Sequence, residues 1–174
     1  MQRLAVGLDL VALLLWGILA MRSEAWRAWY NRMPYEMTPR QVQKILADCP
    51  PAFAIPAGQC LELARHISQE FTEAATRHEL DALISNIARL AHAHRTLHLR
   101  AQRFGTLEQQ AAMAAMLQKH IVSAENTLQA LQAFSGNLTL LSACVATDER
   151  AVQELHCMNQ GLQEVLQEFN DAHR

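Results

Sequence analysis

Residues 80–104 read LDALISNIARLAHAHRTLHLRAQRF, and Leu80, Leu83, Ile87, Leu90, His94, Leu97, Ala101 and Phe104 follow one another at alternating steps of three and four. That period places all eight side chains on one stripe of an α-helix. Sustained over three heptads, it is the seam of helices packed in coiled-coil fashion. Gly105 then supplies a residue free to end the helix, and Thr106 stands where it can cap the next one. So short a turn makes its flanking helices antiparallel neighbours.

Downstream, Leu117, Ile121, Ala124, Leu128 and Leu131 form a second seam. A third runs through Leu138, Leu141, Val145, Asp148, Val152, Leu155, Asn159, Leu162, Leu166 and Phe169. The two differ in phase, and Ser135-Gly136-Asn137 lies at the slip, so a kink or break is expected there. Thr147-Asp148 offers a further helix start. Glutamines at 109, 110, 118, 129, 132, 153, 160, 163 and 167 fall on the outer faces of these helices.

Upstream, Thr38 caps a short helix with Pro39 at its first position, ending near Asp48. Residues 49–60, CPPAFAIPAGQC, hold three prolines and a glycine and read as a linker. Before that, Leu4 to Met21 is an apolar run broken by one charge, Asp9. Eighteen helical residues span about 27 Å, close to the thickness of a bilayer's hydrocarbon core. Trp16 lies inside the run, while Trp26, Trp29 and Tyr30 are interleaved with Arg22, Arg27 and Arg32, a pattern suited to the headgroup region. The arginines after the run outnumber Arg3 before it, which puts the body on the cytoplasmic side of a single-pass protein. The chain is thus expected to be all-α: a membrane anchor and interfacial helix over 1–33, a short helix and Pro-rich linker over 34–60, and a coiled-coil-like body over 61–174. That body is an antiparallel coiled-coil hairpin or a three- to four-helix bundle.

Composition narrows the function. A net charge of −2 and a pI near 6.4 leave no basic footprint for nucleic acid. No Gly-rich phosphate loop, Gly-x-Ser-x-Gly or Cys-x-x-Cys occurs, and no Glu stands three residues before any His, as helical di-iron sites require. Cys49 and Cys60 bound the Pro-rich stretch and would close a disulfide if it folded back. His94 and His98, four apart, share one helix face and are the pair a metal clip would use, although a polar residue in a seam more commonly sets register. No cofactor is expected.

The expectation is a non-enzymatic, membrane-anchored interaction protein acting as accessory subunit, adaptor or tether. Its partners would be the lipid bilayer and other membrane or helical proteins, a second copy included. Docking would run through seams such as Leu83, Ile87, Leu90 and Leu97, Leu128 and Leu131, or Leu155 and Leu162. The alternative is an extracytoplasmic sensory or ligand-binding bundle with a Cys49–Cys60 disulfide. Seam exposure tests the first, because buried seams leave no apolar stripe for a partner, and alkylation before and after reduction tests the second.

Overall fold

A computed structural model describes residues 37–70, 74–103, 105–141 and 147–172. They form five helices: α1 (Pro39–Ala47), α2 (Pro51–Glu70), α3 (Ala74–Arg103), α4 (Leu107–Leu141) and α5 (Thr147–Asp171). No strand occurs among the described residues, and residues from Glu36 onward make one compact unit. Among the described residues no helix is long and apolar enough to cross a membrane. The expected anchor over 1–33, with Asp9, Trp16, Trp26, Trp29 and Tyr30, lies outside them.

Two helix starts follow the same local chemistry. The Thr38 hydroxyl accepts the Gln41 N–H at 3.4 Å, and the Gln41 side chain takes the Thr38 N–H at 2.8 Å. Thr106 and Gln109 repeat this reciprocal box ahead of α4, at 3.3 and 3.0 Å. Each box satisfies two backbone donors that a helix start otherwise leaves free. Between α3 and α4, Gly105 has φ +121°. A Cβ there would come within 3.2 Å of the Met113 methyl and 3.3 Å of Gln109 Cβ, so the turn requires glycine on both counts.

The expected linker is instead the opening of α2, and the expected boundary at residue 60 falls inside that helix. Two of the three prolines stand where a helix tolerates them. The Pro50 carbonyl accepts the Phe53 and Ala54 N–H groups at 3.0 and 2.9 Å, and Pro51 occupies the first helical position. Pro56 does lie in the interior, where a missing N–H and ring crowding cost about 3 kcal/mol. Burial of Phe53, Pro56, Ala57 and Cys60 against the neighbouring helices offsets that penalty.

The four long helices run up-down-up-down. Phe53 of α2 meets His94 of α3, His94 meets His120 of α4, and His120 meets Phe169 of α5, so each successive pair is antiparallel. α3 packs on α2, α4 and α5, and α4 packs on α2, α3 and α5. α2 and α5 do not touch among the described residues, so α3 and α4 form the short diagonal of the bundle. α1 lies against α2 and α3.

The first seam is the core stripe of α3: Leu80, Leu83, Ile87, Leu90, His94 and Leu97 are all buried. In the third, Leu155, Asn159, Leu162 and Leu166 are buried likewise. The second is rotated from its expected position. The buried side chains of α4 are His120, Ala124, Thr127, Leu131 and Phe134, while Leu117, Ile121 and Leu128 are half-buried at its flanks. Because α4 touches three helices, its apolar arc is wide, and the centre of that arc carries polar residues that a count of leucines passes over. α4 also runs unbroken through Ser135-Gly136-Asn137, where a break was expected. One glycine costs a helix only about 1 kcal/mol, which packing on three partners outweighs.

Candidate functional site

Four rings, one from each long helix, form a column through the bundle. The Phe53 and His94 rings stack at 4.0 Å with their planes 8° apart. His94 and His120 lie 5.7 Å apart at 50°, and the Phe169 ring meets His120 edge-on at 5.8 Å. Seam periodicity puts His94 inward from α3. The rotated seam of α4 does the same for His120, which lies off the Leu117, Ile121 and Ala124 stripe that the spacing marks.

His94 is 1% exposed and His120 is fully buried, and neither nitrogen of either ring has a hydrogen-bond partner in the protein. A neutral imidazole carries one donor and one acceptor. Leaving such a group unmatched in a core costs on the order of 1–3 kcal/mol. Burial pushes His94 down to about 3, helped by the nearby His120 and His98. Burial likewise lowers His120 to about 4, against the opposing pull of Glu168. Both rings are therefore neutral at physiological pH.

The expected His94–His98 pair does share a helix face, yet its rings do not converge. They lie nearly parallel, 6.5 Å apart with their planes at 10°, and His98 Nε2 meets the Gln102 amide at 2.9 Å. Among the described residues no three His, Cys, Asp or Glu side chains are grouped to hold a metal ion.

Cys49 and Cys60 are free thiols. The helical turns from Pro51 to Cys60 carry Cys60 about 14 Å along the axis at 1.5 Å per residue, away from Cys49 before the helix and well beyond disulfide reach. The expected bond fails because the stretch it would have closed is a helix. Cys60 donates to the Ala124 carbonyl at 3.4 Å and Cys49 to that of Ile45 at 3.3 Å. Burial raises the two thiols to about 12 and about 11, so both stay protonated.

A second polar insertion lies toward the other end of the α3–α5 interface. The Asn86 amide donates to Asn159 Oδ1 at 3.0 Å. Asn159 donates in turn to the Glu79 backbone carbonyl at 2.9 Å and to Glu79 Oε2 at 2.8 Å. His156 Nδ1 completes the group, 3.4 Å from Glu79 Oε1. Asn159 was legible as a polar seam residue. Asn86 and Glu79 were not, since nothing in a single sequence pairs positions more than seventy residues apart.

The nine glutamines are all exposed, as their spacing implied. The opening turns of α4, residues 107–119, are largely exposed too. Leu107 is 88% exposed, Ala111, Ala112, Ala114 and Ala115 are uncovered, and the stretch carries only Glu108 and Lys119 as charges. No protein-family model matches the chain, and no curated protein or solved structure is detectably similar to it.

Proposed function

We propose that this chain is a membrane-anchored helical interaction protein without enzymatic activity, in which residues 4–21 tether a bundle that docks onto other membrane or helical proteins. The observation that carries this reading is the contrast between closed seams and an open helix start. The stripes of α3 and α5 are consumed inside the bundle, so they offer nothing to a partner. The first turns of α4 remain largely uncovered, carry only Glu108 and Lys119 as charges, and are rich in alanine and methionine. Small side chains let another helix approach closely, and methionine adapts to differing surfaces. The docking face therefore moves from the seams to this stretch.

Three measurements test the proposal. Leu14→Arg with Leu15→Arg should release the chain from membranes as a folded helical protein, and continued pelleting without aggregation argues against the anchor. A photo-crosslinking residue at Ala111 or Ala115 should capture a discrete partner in native membranes, whereas the same probe at Gln163 on α5 should not. Equal capture from both positions counts against docking through α4. Protease protection of a C-terminal tag in intact vesicles reads the side of the membrane, with a cytoplasmic tag expected.

A further inference from the structure

The histidine column stands near one end of the bundle, and the asparagine group nearer the other. Phe53 is the third residue of α2, and Phe169 lies two residues before the end of α5. At that level, therefore, two of the four helices are within a turn of their ends, where opening needs little disruption. Ile55 of α2 is already 59% exposed there.

Every packed element contributes to the surroundings of the two imidazoles. α2 brings Phe53 against His94, and α3 itself brings His98 one turn on. α5 brings Phe169 and Glu168, the latter ion-paired with Lys119 of α4. Arg95, next to His94, is tied to Asp48 at 2.8 Å. A proton on either ring creates a buried cation with two N–H donors and no acceptor within reach in the closed bundle. Water can supply acceptors only if the helices part. A second proton adds repulsion between two cations at 5.7 Å. Glu168 favours the charged form of His120, while His98 and His120 oppose that of His94, so His120 is the first to take a proton.

At the other end the buried amides of Asn86 and Asn159 are already matched, and His156 Nδ1 lies 3.4 Å from Glu79 Oε1.

We propose that the bundle opens from one end in acid: protonation of His120 and then His94 parts the start of α2 and the end of α5 from the α3–α4 hairpin, while the end held by Glu79, Asn86 and Asn159 stays closed. This does not depend on the membrane-tethered reading, since it concerns the bundle alone.

Amide hydrogen exchange of the full chain in mild detergent at pH 7.5 and pH 5.0, corrected for intrinsic exchange rates, is the test. A group that titrates near 6.5 once open and stays neutral when closed raises the opening constant about 30-fold over that interval, and two such groups raise it on the order of 1,000-fold. Amides over 53–60, 91–98, 120–124 and 163–169 should lose protection by one of those factors. Amides over 79–87 and 153–160 should change less than about threefold. His120→Leu should remove about 30-fold of the effect, and His94→Leu with His120→Leu should remove all of it. Unchanged protection of the wild type at pH 5.0 overturns the proposal, and so does equal loss at both ends. Those two results need no variant, so the test survives a variant that fails to fold.

Discussion

The bundle contains two polar insertions in its core, and they solve opposite problems. In the Glu79–Asn86–Asn159 group each buried amide finds a partner across α3 and α5, and a carboxylate accepts the last donor. In the His94–His120 pair four ring nitrogens find none. A matched network specifies which faces meet and resists truncation, because removing one member strands the others. An unmatched pair adds little to stability at neutral pH and makes the core sensitive to protons. The same helix, α3, carries both, with Asn86 and His94 eight residues apart.

Acid should separate the two most strongly. The unfolded chain binds protons on both histidines below their ordinary value of 6.5, whereas the folded chain refuses them until about 4 and about 3. Their contribution to stability is thus complete above pH 6.5, shrinks as pH falls through the window below it, and stops changing below about 3. Between pH 7 and 5 the two histidines together should lower the unfolding free energy by about 4 kcal/mol, roughly 2 per ring. Urea denaturation across that range measures the slope. A flat profile would show that the rings have acceptors.

Truncating the matched group comes next. Asn159→Ala strands the Asn86 amide and uncouples Glu79, so it should cost about 2–3 kcal/mol at pH 7.5. Replacing Asn86 and Asn159 together by leucine should cost much less than the sum of the single changes, because no polar group is then left alone. Additive losses in that cycle would break the contrast.

The histidines predict the reverse sign. His120→Leu removes two unmatched nitrogens and should leave stability at pH 7.5 unchanged or raise it by about 1 kcal/mol. A loss above about 2 kcal/mol would mean that the imidazole makes bonds worth keeping. Gly105→Ala, outside both groups, should cost about 1 kcal/mol through the strained backbone of the α3–α4 turn without altering the pH slope. Thermal melts at pH 7.5 and 5.5 read both quantities.

Helix type, the caps at Thr38 and Thr106, the Gly105 turn and the stripe from Leu80 to Leu97 could all be read from the chain, because each depends on residues within a few turns of one another. Local rules failed where distant surroundings prevailed. Three prolines signalled a linker over 49–60, yet burial of Phe53 and Cys60 keeps that stretch helical. The expected disulfide failed with it. Leucine spacing aimed α4 at Leu117, Ile121 and Leu128, whereas contact with three helices turned His120 and Thr127 inward.

By itself, then, the sequence determined that this body is helical, where α1 starts and ends, where α3 ends, where α4 and α5 start, and which face of α3 and of α5 is apolar. Periodicity and capping are local, and local rules suffice for them. Tertiary structure alone decided which helices neighbour one another, that two histidines from different seams meet without partners, and that two asparagines far apart in the chain find each other. Those outcomes depend on how faces are rotated against one another in space, and a one-dimensional pattern does not carry that rotation.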